Sequence, residues 1–186
     1  MSVLNSDHEV LFIHVPKTAG TSMERCHFLG GGGHQTIREY PQNQRLFKFG
    51  FVRNPWDRLV SAFFCHRPYD GGRDLAQFHQ FVLEHCSDGE YPDDGIYRLH
   101  FLPMWHFLLD GNDRMGVDFV GRFEMLQSGW KYVCERLKVF AVLPHERKRL
   151  HRPYKEYYTP ETWDVVGQLY QRDIELFGYG DDALHA

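Results

Sequence analysis

Seven consecutive residues, Pro16-Lys17-Thr18-Ala19-Gly20-Thr21-Ser22, bring together the side chains and backbone that anion chemistry needs. They follow a compact apolar run, residues 10–15, and precede a stretch, residues 23–29, able to form a short helix. Where a strand passes into a helix, backbone N–H groups and the positive helix terminus can surround phosphate oxygens. Lys17 adds a cation, and the Thr21 and Ser22 hydroxyls add donors that also suit capping of the helix. Lys17 precedes Gly20 and no lysine follows it, whereas the nucleotide triphosphatase loop reads GxxxxGK[ST]. A kinase or ATPase therefore loses its main support.

A second chemical segment is Phe51-Val52-Arg53-Asn54-Pro55-Trp56-Asp57-Arg58-Leu59-Val60-Ser61. Arg53 stands at the end of an expected strand, where its guanidinium can fork onto a phosphate, and the Ser61 hydroxyl on the following helix can donate a further bond. His34, just after the glycine run 30–33, is an imidazole that titrates near neutral pH and suits a general base. His100 and His106 are weaker rivals for that role, since residues in an aromatic segment such as 99–109 are more often half-buried packing residues. Three of the four cysteines adjoin a histidine, but neighbouring residues on a helix point about 100° apart and do not share a face, so zinc is not expected. Free thiols are.

Positioning these groups requires strands and helices in alternation. Residues 10–15 read as a strand, as do residues 46–53, where Phe47, Phe49 and Phe51 alternate. Asn54 and Pro55 supply an N-cap and first helical position. In the helix that follows, Trp56, Leu59, Val60, Phe63 and Phe64 should face the core, with Asp57, Arg58 and Ser61 on another side. Helices are expected over 75–85 and 130–137, a strand over 117–123, and one final helix from the cap at Thr159 and Pro160 to Gly178. The pattern predicts an α/β domain, a P-loop-like three-layer α/β/α arrangement with a mainly parallel central sheet, and such sheets bind ligands beyond the carboxyl ends of their strands.

With both motifs in this order, the chain resembles the carbohydrate sulfotransferases, particularly the heparan sulfate 2-O-sulfotransferase-like group. In that family a segment such as residues 14–22 grips the 5'-phosphosulfate of 3'-phosphoadenosine 5'-phosphosulfate (PAPS), and one such as residues 51–61 binds the 3'-phosphate. The resemblance implies transfer of a sulfuryl group to an acceptor hydroxyl, that of a carbohydrate, leaving the product nucleotide PAP. It implies Pro16 to Ser22, Arg53 and Ser61 as cofactor-binding residues, Lys17 at the breaking bond and His34 as base, since His34-Gln35-Thr36-Ile37-Arg38-Glu39-Tyr40 is similar to the family's segment facing the acceptor. Residues 120–124 and 173–179 resemble the family as well, and Lys148, Arg152, Tyr154 and Lys155 fall in a late basic loop that covers the cofactor there. Glu124 reads as an organiser of the fold. Met104 stands where the family has glutamine after proline, and residues 70–94 carry no alignable motif.

Length and composition agree. The chain has 186 residues and 42% hydrophobic content, enough for one substantial core, so a single domain over residues 1–186 is expected. A formal net charge of −4 argues against a surface built for nucleic acid. No stretch approaches the roughly 20 apolar residues of a membrane span, and no anchor or stem is seen, so a cytoplasmic enzyme is expected, with no metal required. Two alternatives stay open: a PAPS- or PAP-binding module without transferase activity, and a sulfotransferase acting on a small non-carbohydrate alcohol.

Overall fold

The computed structural model describes residues 3–5, 9–26, 29, 33–40, 45–65, 74–93, 98–144, 152–180, 182 and 184. Its strands are β1 (Val3–Asn5), β2 (Val10–Ile13), β3 (Phe47–Val52) and β4 (Phe119–Arg122). Its α-helices are α1 (Gly20–Glu24), α2 (Pro55–Phe63), α3 (Asp74–His85), α4 (Arg98–Phe101), α5 (Met104–Leu108), α6 (Leu126–Leu137), α7 (Pro160–Leu169) and α8 (Gln171–Phe177). The chain divides into two units, one of residues 1–53 and 104–148, the other of residues 54–103 and 149–186.

The first unit carries the sheet, in the order β1-β2-β3-β4. β2, β3 and β4 are parallel, with Val10 opposite Phe47 and Phe49 opposite Phe119, and β1 runs antiparallel to β2. This is the α/β class that the alternating pattern implies. All four residues of β2 are buried, as a strand covered on both faces requires. On one face Phe12 stacks on Phe49 at 5.0 Å, and Phe47 on Phe49 at 5.8 Å, against Trp130, Val133 and Cys134 of α6. Full burial of one such phenylalanine is worth about 2–3 kcal/mol. Gly121 opens room for this ladder, since a Cβ there would lie 2.3 Å from the Phe51 ring.

Helices make up the second unit. Asn54 caps α2 by accepting from the Trp56 and Asp57 N–H groups, with Pro55 at the first position, as the sequence implies. Trp56, Leu59, Val60, Phe63 and Phe64 enter a core with Phe78 and Val82 of α3 and Trp163 and Val166 of α7. Trp56 stacks on Trp163 at 4.2 Å, and its indole N–H donates to the Trp163 carbonyl. Arg58 departs from the amphipathic expectation. It is 1% exposed, and Nη2 donates to the carbonyls of His100 at 3.1 Å and Leu102 at 2.7 Å. Backbone acceptors at the end of α4 replace the water that a guanidinium would otherwise need.

Three element boundaries also differ from expectation. α1 covers Gly20–Glu24 and the chain leaves it at Arg25, so the helix is shorter and starts earlier than residues 23–29. The final helix is two, α7 and α8, broken at Tyr170, whose hydroxyl donates to the Phe101 carbonyl at 2.6 Å. α6 begins at Leu126, four residues earlier than the helix expected over 130–137.

Candidate anion-binding and base site

Residues 16–22 leave β2 and enter α1 within the first unit. Lys17 and Ala19 both take the left-handed conformation, at φ 70° and 71°. Each costs a residue with a side chain roughly 1 kcal/mol, the kind of stored strain that concentrates at ligand-binding loops. Left-handed residues alternating with others turn backbone N–H groups toward a common concavity, which suits an anion. α1 has only five residues, so the loop's own backbone and cations matter more here than a helix dipole. Thr18 is fully buried and its hydroxyl donates to the Val15 carbonyl at 2.8 Å, so its side chain braces the loop. Pro16 and Ser22 are buried, Lys17, Ala19 and Thr21 half-buried.

Arg53, 8% exposed at the end of β3, is fixed from three sides. Its Nη1 donates to the Lys17 carbonyl at 3.2 Å, its guanidinium carbon lies 4.1 Å from the centre of the Phe123 ring, and its backbone N–H donates to the Met104 thioether at 3.3 Å. Parallel pairing of β2 with β3 is what brings the Lys17 loop and Arg53 to one sheet edge. Two cations and a strained loop backbone suit phosphate oxygens.

His34 stands at the same place in the chain's first unit. Its Nδ1 lies 3.1 Å from the His14 carbonyl, and the two rings meet edge to face at 4.4 Å. A carbonyl only accepts, so Nδ1 carries the proton and Nε2 the lone pair. Burial, and then repulsion from His14, holds the imidazole down at about pKa 4, against the bond to the His14 carbonyl and the Glu24 charge. His34 is therefore neutral at pH 7. His100 and His106 take packing roles: the His100 carbonyl receives Arg58, and the His106 ring contacts Trp105 and Phe107.

Ser61, Arg152, Tyr154 and Lys155 lie in the second unit. Ser61 is half-buried on α2. Arg152 is exposed and lies 3.9 Å from Glu156, while Tyr154 donates to Asp182 at 2.5 Å and Lys155 pairs with the same carboxylate at 2.7 Å. Lys148 lies outside the described residues. None of the four cysteines forms a disulfide, and burial pushes the Cys26 thiol up to about 11 and Cys86 up to about 12, which makes poor nucleophiles of these two. Among the described residues no group of three or more His, Cys, Asp or Glu side chains could hold a metal.

Known proteins place this arrangement. A profile described as the sulfotransferase family matches residues 2–180. The chain belongs to the sulfotransferase family. It is thus a member of a family of transferase enzymes. Carbohydrate sulfotransferase 10 of Xenopus laevis is 23% identical in an alignment of 239 residues, covering 95% of this sulfotransferase chain and 66% of that protein. The chain so spans just under two thirds of that relative's length. No solved structure matches it.

The sequence motifs pointed to the loop, Arg53 and His34, but not to Glu24. Its carboxylate lies 2.7 Å from His14 Nδ1. The two residues are ten apart, with no pattern to join them before β2 and α1 are folded.

Proposed function

We propose that this sulfotransferase chain moves a sulfuryl group from PAPS to an acceptor hydroxyl, in line, and that the acceptor is a carbohydrate. The observation that supports the reading is the bond from Arg53 to the Lys17 carbonyl, which ties the loop backbone to the arginine at the end of β3 within one unit. The name of the Xenopus relative supports a carbohydrate acceptor.

PAPS, when bound, supplies an activated sulfuryl group on a phosphate leaving group. The chain's residues do the rest. Backbone N–H groups of residues 17–21 and the Lys17 ammonium hold the 5' end, and Lys17 stabilises charge developing on the leaving oxygen. Arg53 holds the 3'-phosphate by a charge-assisted fork. His34 takes the acceptor's proton at Nε2, the atom left basic by the bond from Nδ1. Ser61, Arg152, Tyr154 and Lys148 are assigned to the nucleotide on the motif resemblance alone.

The test is radiolabelled sulfate transfer from PAPS across a panel of sugars, phenols and simple alcohols, with PAP binding measured by calorimetry. Transfer to sugars is expected. Transfer confined to non-sugar alcohols would move the acceptor class, and tight PAP binding with no transfer to any acceptor would leave a binding module.

A further inference from the structure

The base in this site is held by a residue that itself has a carboxylate partner. His34 donates from Nδ1 to the His14 carbonyl, so its tautomer depends on where His14 stands. His14, 6% exposed, is held by its ring. A carboxylate only accepts, so the 2.7 Å contact with Glu24 Oε1 puts a proton on His14 Nδ1. Phe12 stacks on the other side of the same ring at 5.7 Å. Gly20 lets the ring lie where any larger residue would collide, since a Cβ there would fall 2.0 Å from His14 Cδ2 and 2.1 Å from Nε2. Glu24 and Gly20 both belong to α1, the helix that the anion loop opens. One short helix thus fixes the imidazole beside the loop and, through it, the tautomer of His34.

We propose that Glu24 is a positioning residue: through His14 it keeps the His34 proton on Nδ1 and the lone pair on Nε2. The proposal rests on the reading of His34 as base. Carboxylates behind histidines play this part at other sites, where removing such an outer partner costs about 10- to 100-fold in activity. Among the described residues, the charged and titratable groups acting on His34 include His14 from the end of β2 and Glu24 from α1.

The experiment uses the full chain and reads the His34 ring nitrogens by long-range 15N–1H correlation at pH 7, beside steady-state kinetics. In the wild type Nδ1 should carry the proton. Glu24→Ala should give a mixture that includes the Nε2-protonated form, with kcat down about 10- to 100-fold and KM for PAPS unchanged. Glu24→Gln keeps an acceptor for His14, so it should keep the wild-type tautomer and recover most of kcat. It should also lower the midpoint of the His34 titration, because the Glu24 charge favours the imidazolium. An unchanged His34 tautomer in Glu24→Ala overturns the proposal. If that variant does not fold, an unchanged His34 tautomer in Glu24→Asp, whose shorter side chain draws the carboxylate back from His14 Nδ1, overturns it instead. Failure of the base reading has a different signature: His34→Ala keeps full turnover while the tautomer still responds to Glu24→Ala.

Discussion

Acid should unfold this protein partly through His34. Its ordinary value of 6.5 falls to about 4 in the folded chain, by burial first and by the neighbouring His14 second. Between those values the unfolded chain binds a proton that the folded chain refuses, so stability rises with pH and is lost as pH falls from about 6.5 toward 4. The full gap between 6.5 and 4, at about 1.4 kcal/mol for each pH unit, is about 3.5 kcal/mol, of which about 3 kcal/mol is lost by pH 4, where the folded group is half protonated. Many carboxylates also titrate in this range, which is why the comparison must be with His34→Gln, a side chain of similar reach that cannot take up the proton. Urea unfolding of both proteins at pH 7 and pH 4 measures the contribution. The wild type should lose about 3 kcal/mol more than the variant over that interval. Equal losses would show that His34 is not held neutral by its surroundings, and the assignment of a half-buried, Nδ1-protonated base would go with it.

Two further substitutions probe the scaffold. Gly20→Ala places a methyl 2.0 Å from the His14 ring, and overpacking of this kind costs about 1–3 kcal/mol, so its denaturant midpoint should fall and the His34 signals should shift. A wild-type midpoint would mean that His14 moves at no cost. Arg58→Met strips the His100 and Leu102 carbonyls of a buried donor and should lower stability by about 2–4 kcal/mol while leaving PAP affinity within twofold. A tenfold loss of PAP affinity in a folded Arg58→Met protein would instead make Arg58 a phosphate ligand.

Much of the sheet is readable in the chain because buried parallel strands are short apolar runs bounded by breakers. Residues 10–13, 47–52 and 119–122 all announce themselves this way, and the Asn54-Pro55 cap marks the start of α2. β1 escapes because three residues, Val3–Asn5, cannot show alternation; only pairing with β2 makes them a strand. The break between α7 and α8 escapes because no proline or glycine marks it. Tyr170 stands there, tied by its hydroxyl to the Phe101 carbonyl far away in sequence. Arg58 misleads because a charged residue within a helix pattern is assigned to water, whereas backbone carbonyls can satisfy a guanidinium inside the core.

The site divides in the same way. Lys17 and Arg53 are legible as motif residues at strand ends, and parallel pairing of β2 and β3 is enough to bring their segments together. The left-handed backbone at Lys17 and Ala19 is not legible, since neither residue type favours it. Nor is the link from Glu24 through His14 to His34, which depends on three segments meeting in space.

Single-turnover transfer of radiolabelled sulfate from PAPS, compared between wild type and Lys17→Ala on the best acceptor in the panel, tests the central assignment most directly. The wild type should transfer label, and Lys17→Ala should be slower by about 100- to 1,000-fold, the usual cost of losing one donor aimed at developing charge, while still binding PAP. Equal rates in the two proteins would contradict the assignment of Lys17 and its loop to the breaking bond.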